Sequence, residues 1–350
     1  MEKKKRIDWL DVSKALGIYL VVLGHLVILN YKQFRFIFAF HMPLFFAVAG
    51  YVFASKEIPV FKKFIKSKFK EYVLPIIAII VIGLLQCLLI PTKSCNAQSL
   101  FTANTIIEIL KGRPMFSYFG ASWFLFAMFF AQLMFYGYCK LYKKVSKPVF
   151  TLICLAHLAV SVYVIEIFDF IPVIHRLPLK IDSAMMGCVF MGVGALFAKI
   201  NLDKYKKILK WILPPLGCIG VYFISCKWNL YVNMEECKYA FPLRYLAGAI
   251  CGILMIFGLG MLFEKCVFLK YVGKNTLIIF LIHWLLIVIV INSVNRIWNT
   301  GYVEQYMKFD FVCVLISIIV FLLSLLCSIF YSHIKKKIIE LIKNRKLVNS

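Results

Sequence analysis

Four histidines lie inside strongly apolar stretches of the sequence: His25, His41, His157 and His283. An ionisable side chain is costly to place in hydrocarbon, so each imidazole is a candidate for function. His25 comes near the end of the first apolar stretch and His41 near the start of the second. A hairpin between the two stretches would bring both rings to similar depth, where they could share a proton or hold a polar substrate. The alternative for either ring is a hydrogen bond to a neighbouring carbonyl group, and His157 is interpreted as structural.

A carboxylate and an ammonium group share a helix face with the first of these histidines. At about 100° per residue, Asp11, Lys14 and His25 fall on one side of a helix. Asp11 and His25 are separated by about 21 Å at 1.5 Å per residue, so the carboxylate cannot orient that imidazole directly. We expect Asp11 to pair with Lys14 or Arg6. The helix face would carry charges at one end and an imidazole at the other, which suits a reaction whose substrates arrive from opposite sides.

Three lysines, Lys63, Lys66 and Lys70, recur at helical spacing in the basic segment KKFIKSKFKEYVLP. Such cations could hold the phosphates of a cytoplasmic cofactor. The alternative is the ordinary excess of positive charge on the inner side of a membrane protein. Trp123 and Arg244 each begin a predicted apolar helix and could contact a sugar, although such side chains also serve as interfacial anchors.

Long apolar stretches must position these side chains. Hydrophobic residues make up 62% of the 350-residue chain and the mean hydropathy is +0.86, values far above those of a soluble domain. A helix needs about 20 apolar residues to cross the hydrocarbon layer, and an unclosed sheet would leave backbone groups unpaired there. The fold class is therefore predicted to be an all-α integral membrane protein with ten transmembrane helices. The predicted spans are 12–30, 37–54, 73–91, 120–140, 149–168, 182–199, 209–225, 242–263, 272–292 and 309–333.

Basic residues are concentrated in alternate gaps between these spans and near both ends of the chain. By the positive-inside rule, this alternation supports ten spans and places both termini in the cytoplasm. The net charge of +25 could otherwise suggest nucleic acid, but the sequence carries no nucleic-acid-binding motif. The tail HIKKKIIELIKNRK alternates basic and apolar residues at helical spacing, so we expect it to lie along the inner leaflet.

The 12 cysteines contain no CxxC pair and no Cys/His spacing typical of a metal site, so no metal is predicted. Most of them lie within apolar stretches, where a free thiol acts as a small hydrophobic side chain. Cys226 and Cys237 share a predicted outer loop and could form a disulfide.

Several segments resemble the membrane acyltransferase-3 family, integral membrane O-acyltransferases that modify cell-surface glycans and antibiotics. RIDWLDVSKALGIYLVVLGH and FAFHMPLFFAVAGY are similar to the family's first two helices. Their motifs most resemble those of the branch that contains sugar O-acetylases. The basic run ending in Leu74–Pro75, then SWFLF, IDSAMMGCVFMGVGALF and VGKNTLIIFLIHW, follow in the family's order. The resemblance implies a transmembrane acyltransferase domain at 1–333, followed by a basic cytoplasmic tail at 334–350.

The resemblance also implies roles for single residues. The family's essential histidine matches His25, and its inner-face acidic and basic residues match Asp11 and Lys14. Its arginine pair after the second helix falls on Lys66 and Lys70. This is a departure, because a guanidinium binds phosphate through a planar pair of donors whereas an ammonium is a point charge.

The predicted function is that of an acetyl-CoA-dependent O-acetyltransferase in a bacterial plasma membrane. It would move an acetyl group from cytoplasmic acetyl-CoA to a hydroxyl of a cell-surface glycan or lipid-linked sugar. His25 would be the general base or a transient acetyl acceptor, assisted by His41 and, at the inner face, Asp11. The predicted CoA-binding residues are Lys14, Lys63, Lys66 and Lys70, and the predicted sugar-binding residues are Trp123, Arg244 and His283. The remaining partner is the lipid bilayer, with no nucleic acid, and the oligomeric state stays open.

Two other functions remain open at this point. A proton-coupled transporter, or a membrane subunit for a small polar solute, could use the histidines as a proton relay. Against it, the sequence has no internal repeat and no pair of Gly/Pro-broken helices in corresponding halves. An amino-acid-binding subunit, like the acyltransferase-like half of membrane serine racemases, is the third interpretation.

Overall fold

The computed structural model describes residues 6–26, 31–89, 103–112, 122–171, 175–200, 202–228, 231–297 and 310–348. The structure is 84% helical, which confirms the predicted all-helical fold class. Among the described residues, strand structure is limited to an antiparallel hairpin of β1 (Val232–Asn233) and β2 (Lys238–Tyr239), with Val232 opposite Tyr239.

The helices follow one another with short connections. They are α1 (Asp8–Gly24), α2 (Tyr31–Phe38), α3 (His41–Ala54), α4 (Phe61–Lys68), α5 (Leu74–Leu89), α6 (Ala103–Leu110), α7 (Trp123–Leu141), α8 (Lys147–Val162), α9 (Val164–Phe168), α10 (Ile181–Ile200), α11 (Lys206–Val221), α12 (Pro242–Leu262), α13 (Val267–Lys274), α14 (Thr276–Ile297) and α15 (Asp310–Val348). Single 3-10 turns lie at Pro178–Lys180 and Leu202–Tyr205, and π-helical turns at Phe69–Val73 and Tyr222–Lys227.

Within the described ranges, seven helical segments are long and apolar enough to cross a membrane. They are Lys32–Ala54, Trp123–Leu141, Pro178–Ile200, Lys206–Lys227, Pro242–Leu262, Thr276–Arg296 and Phe311–Ile338. Three more predicted spans coincide with the shorter helices α1, α5 and α8, of 17, 16 and 16 residues. The chain is therefore a multi-pass membrane protein, while the count of ten and the cytoplasmic termini stay predictions.

Helix α1 lies at the centre of the bundle and contacts α2, α3, α12, α13, α14 and α15. Its buried side chains point in all directions around the helix axis, as Trp9, Leu10, Val12 and Ile18 show. A helix that is apolar on every side is surrounded by protein rather than by solvent. Both the charged end and the histidine end of α1 are thereby fixed relative to the other helices.

The second predicted span, 37–54, is interrupted by a turn. Helix α2 ends at Phe38, and α3 begins at His41 after the non-helical Phe40 (φ −142°, ψ −15°). Pro43 explains the turn, because in a continuous helix its ring would clash with the carbonyl four residues earlier and it lacks the N–H to bond it. In the first turn of a helix neither problem arises. His41 is thus the first residue of α3, not an interior residue as expected.

The basic tail continues α15 without a break at 333–334. Its 39 residues extend for about 58 Å, roughly twice the hydrocarbon thickness of a bilayer. Side chains of Ile334, Ile338 and Leu341 are exposed along it. The placement of the tail on the inner leaflet stays a prediction.

Helices α3 and α10 approach so closely that glycine is required at the crossing. A Cβ atom added to Gly194 would overlap the backbone carbonyl of Ala47, and one added to Gly50 would overlap that of Met191. Gly192, two residues before Gly194, has open space at the same position. Small residues of this kind allow membrane helices to pack backbone against backbone.

We predict opposite effects for two alanine substitutions on α10. Gly194→Ala should lower the free energy of unfolding by on the order of 1–3 kcal/mol, because α3 must move aside. Gly192→Ala should be neutral or stabilising, since alanine favours helix over glycine by up to about 1 kcal/mol. Thermal unfolding of the purified proteins in detergent measures both. Equal midpoints for the two variants would contradict the close packing.

Candidate active site

Imidazole rings from α1 and α14 meet at the end of α1. His25 follows Gly24, the last residue of that helix, and its ring stacks on His283 with centroids 5.2 Å apart and planes at 28°. The indole of Trp284 packs edge-on against His25 at 4.7 Å. His41 lies close enough to act electrostatically on His25. The structure thus stacks His25 on His283 and leaves it near His41, the one histidine that the sequence had paired with it.

Backbone carbonyl groups fix two of these rings. The Nδ1 atom of His41 lies 2.8 Å from the carbonyl oxygen of Ile37, and Nδ1 of His283 lies 2.6 Å from that of Phe280. A carbonyl oxygen can only accept, so Nδ1 must carry the hydrogen in both rings. In the neutral ring, Nε2 then offers a lone pair. The Nε2 atom of His283 is buried and makes no hydrogen bond within the described ranges, so it is available to a donor on a ligand or water molecule.

A compact charge cluster occupies the other end of α1. Lys14 Nζ lies 2.8 Å from Asp11 Oδ1, and Arg6 Nη2 donates to the same oxygen at 3.2 Å. The predicted pairing of Asp11 with Lys14 or Arg6 is confirmed, and both cations take part. The Asp11 side chain is only 4% exposed. Helix α13 closes against this cluster, because Gly273 sits directly on the Asp11 backbone carbonyl.

A cavity of about 1100 Å³ runs along α1 and α3 from this charge cluster. On α3 its wall extends from Met42 to Ser55, a distance of about 20 Å at 1.5 Å per residue. The end near Asp11 is rich in cations. Its basic lining residues are Arg6, Lys14, Lys56, Lys63, Lys68 and Lys274, and its acidic ones are Asp11, Glu57 and Glu71. This end of the cavity therefore attracts anions.

An aromatic layer closes the opposite end of the cavity. Phe45, Phe124 and Phe280 line that end, and the rings of Phe124 and Phe280 lie 5.3 Å apart. The imidazoles lie behind this layer and do not line the cavity. Phe280 touches His283, with ring centroids 5.7 Å apart. One phenylalanine ring thus separates the cavity from the histidine cluster.

A polar side-chain network crosses the middle of the cavity wall and was not expected from the sequence. Gln132 of α7 donates to the hydroxyl of Tyr72 at 2.7 Å, and Tyr72 donates to Glu71 at 2.9 Å. Lys68 donates to the second oxygen of Glu71 at 2.7 Å. A signal for it exists in the sequence, since Gln132 interrupts the apolar run FLFAMFFAQLMFY, where an amide is costly without a partner.

The predicted cofactor-binding lysines are divided by the structure. Lys14 and Lys63 line the cavity, together with Lys68, which the sequence analysis did not select. Lys66 and Lys70 are exposed and lie outside the cavity lining. The π-helical turn at Phe69–Val73 changes the helical register, so Lys70 no longer lies on the same face as Lys63.

The predicted sugar contacts lie apart from the cavity lining. Trp123 is buried beside Phe124, with ring centroids 6.1 Å apart. Arg244 stacks its guanidinium on Trp228 and Phe241, each at 4.7 Å to the ring centroid. Their roles in binding a sugar remain predictions.

Cys226 and Cys237, which the sequence analysis placed in one outer loop, do not form the disulfide that the sequence allowed; Cys226 lies in the π-helical turn Tyr222–Lys227. Cys226 and Cys237 are both free, and Cys226 donates a hydrogen bond to the carbonyl of Lys32. Ion pairs hold this loop instead. Arg176 binds Asp182 at 2.6 Å, and Lys180 lies 3.4 Å from Glu235 beside the β1–β2 hairpin.

Comparison with protein families gives one match. The acyltransferase domain family Acyl_transf_3 matches residues 7–333. The matched range contains all three clustered histidines, the charge cluster and every residue that lines the cavity except Arg6. Comparisons with curated proteins and with solved structures found no match.

We predict that the Asp11 pairings stabilise the fold. Asp11→Asn should lower the free energy of unfolding by about 2–3 kcal/mol, because it leaves the largely buried Lys14 ammonium without a counter-charge. The control is Asp8→Asn. Its carboxylate, 48% exposed, pairs with Lys270, and such a pair contributes less than about 1 kcal/mol.

Unfolding of the purified variants in detergent measures this difference. The double variant Asp11→Asn with Lys14→Met should recover part of the loss, because it also removes the unpaired cation. Equal losses for Asp8→Asn and Asp11→Asn would contradict the importance of the buried cluster.

Proposed function

The chain belongs to the acyltransferase-3 family, and from this premise we propose that it transfers an acetyl group from cytoplasmic acetyl-CoA to a hydroxyl of a cell-surface glycan. The family establishes a membrane acyltransferase. The donor, the acceptor and the bacterial plasma membrane are the proposal. The observation that carries it is the cavity, which is cationic at one end and closed at the other by an aromatic layer in front of three imidazoles.

The dimensions and charges of the cavity suit a CoA thioester. An extended pantetheine arm reaches roughly 15–20 Å, as its bond lengths dictate, and the cavity wall on α3 extends for about 20 Å. The phosphates of CoA would bind the cationic end, where Lys14, Lys63 and Lys68 lie. The thioester would then arrive at the phenylalanine layer. A rotation of the Phe280 ring would open a path along which the thioester could reach His25.

The chemistry needs a base and close approach, but no energy source beyond the thioester. His25 takes the proton of the sugar hydroxyl, and the hydroxyl oxygen attacks the thioester carbonyl carbon. The carbon–sulfur bond breaks, and the departing CoA thiolate regains a proton from the imidazolium. The alternative route passes through an acetyl group carried briefly by His25 itself. In both routes the reacting ring must begin uncharged.

The other two histidines support this role through their fixed orientations. The carbonyl of Phe280 holds the ring of His283 in contact with His25. Its Nε2 lone pair can accept a hydrogen bond from the incoming hydroxyl. His41, held by Ile37, has the same tautomer and lies at the start of α3. On the sugar side, Trp123 and Arg244 are the proposed contacts.

We predict that His25→Ala abolishes acetyl transfer without preventing membrane insertion. Loss of a general base lowers the rate by on the order of 10²–10⁴-fold. Membrane vesicles with the cytoplasmic face outward, supplied with radiolabelled acetyl-CoA, measure the label that reaches the glycan. His175→Ala is the control, because the His175 ring is exposed, pairs with Asp169 and lies outside the cavity lining.

Two outcomes would reject the assignment. Undiminished glycan labelling by His25→Ala would exclude its catalytic role. Movement of a solute through wild-type vesicles without any acetylated product would instead support the transporter.

A further inference from the structure

The network at the middle of the cavity has a fixed hydrogen-bond direction. Glu71 accepts with both carboxylate oxygens, one from Lys68 and one from the Tyr72 hydroxyl. The hydroxyl of Tyr72 therefore donates its proton to Glu71, and toward Gln132 the Tyr72 oxygen can act only as an acceptor. The atom of Gln132 that faces Tyr72 must be the amide nitrogen.

This direction leaves the carbonyl oxygen of Gln132 unused. Within the described part of the chain, Oε1 of Gln132 has no hydrogen-bond partner, and yet it is not sealed off from open space. The side chain is 4% exposed, and the space that it borders is the cavity. Gln132 thus presents a bare acceptor to whatever occupies the cavity.

The surroundings make this acceptor selective. Val52, Phe53 and Met128 also line the cavity and offer no polar side-chain atom suited to a ligand. A ligand that leaves this buried acceptor unpaired binds more weakly, whereas a ligand with an N–H group at that position binds more tightly. Sites built in this way discriminate strongly against ligands that lack the donor.

The depth of Gln132 matches an amide of the pantetheine arm. On α7, Gln132 lies eight residues from Phe124 at the closed end, or about 12 Å along the helix. The arm's second amide nitrogen lies roughly nine bonds from the acetyl methyl carbon, which is about 11–12 Å when extended. With the acetyl group at the phenylalanine layer, that N–H reaches the level of Gln132.

Pro75 explains why the chain forms the network here. Its ring cannot coexist with a regular helical carbonyl at position 71, and the π-helical turn Phe69–Val73 widens the helix before it. Tyr72 is buried at this turn while its neighbours Lys70 and Glu71 are exposed. The turn therefore directs the Tyr72 hydroxyl toward α7 and Gln132.

We propose that Gln132 accepts a hydrogen bond from an amide N–H of the donor's pantetheine arm, with Lys68, Glu71 and Tyr72 holding its amide in the required orientation. The inference rests on the proposed function, since it presumes that the cavity takes an acyl-CoA. It makes Gln132 a specificity residue for thioesters of pantetheine.

The test compares two probes that share the cationic end of the cavity. CoA contains the arm, and adenosine 3′,5′-bisphosphate lacks it. Calorimetry on the purified protein gives both dissociation constants. Gln132→Leu should weaken CoA binding roughly threefold to tenfold, the effect of one hydrogen bond, and leave the bisphosphate unchanged. Tyr72→Phe should weaken CoA binding less than Gln132→Leu does. The acceptor oxygen of Gln132 remains in this variant, but its side-chain amide is no longer held in one orientation.

Tyr136→Phe is the matched control on α7. The Tyr136 side chain lies outside the cavity lining, and its hydroxyl donates to the backbone carbonyl of Pro59, a lining residue, at 3.1 Å. Because every side chain that lines the cavity stays in place, Tyr136→Phe should leave both constants unchanged. Equal weakening of both probes by Gln132→Leu would show a structural role and overturn the inference. So would unchanged CoA binding. Wild-type protein that binds neither probe would overturn the proposed donor as well.

A second experiment uses only the wild-type protein, so that its result cannot be due to misfolding of a variant. In two CoA analogues, an ester oxygen replaces one or the other amide N–H of the arm. The wild-type protein should bind the analogue altered at the second amide at least threefold more weakly than CoA. Equal binding of CoA and both analogues would overturn the inference.

Discussion

Polar groups inside an apolar helical bundle must find partners within the protein, and the arrangement of this molecule follows from that requirement. Asp11 is held by two cations, and the rings of His41 and His283 are held by backbone carbonyls. Among the side-chain atoms that lack a partner in the described part of the chain are Nε2 of His283 and Oε1 of Gln132. Both border the route that a donor would follow. They are the positions at which a ligand would complete the hydrogen bonding that the fold leaves open.

Helix α1 connects the two ends of that route. Its charge cluster and its imidazole are separated by about 21 Å, and the cavity covers most of this distance. Because helices on several sides pack against α1, the separation between its ends cannot change without repacking the bundle. A long, flexible thioester arm can connect two sites held at a fixed separation. A small soluble acyl donor would have no use for a cationic site so far from the reacting group.

The sequence predicted what depends on local spacing. It located the apolar helices and the Asp11–Lys14 pair, but it placed His25 and His41 inside their helices, whereas they lie at the helix ends. It could not place His283 against His25, because that contact joins residues far apart in the chain and depends on how α14 packs. It selected Lys66 and Lys70 from helical spacing alone. Lys66 lies on an exposed face of the regular helix α4, and the π-helical turn Phe69–Val73 changes the register at Lys70. Gln132 was missed for a related reason, since its importance comes from its hydrogen-bond partner on another helix.

The aromatic layer between cavity and histidines has a chemical consequence. The cationic end lies beside water, and a base exposed to that water would hydrolyse the thioester instead of transferring the acetyl group. Phe280 prevents this contact, and its backbone carbonyl at the same time orients His283. Because the Phe280 ring also packs against His283, a rotation of that ring would change the packing around the imidazole that is stacked on His25. In the proposed mechanism, the same ring would thus control both the admission of the acyl donor and the surroundings of the base.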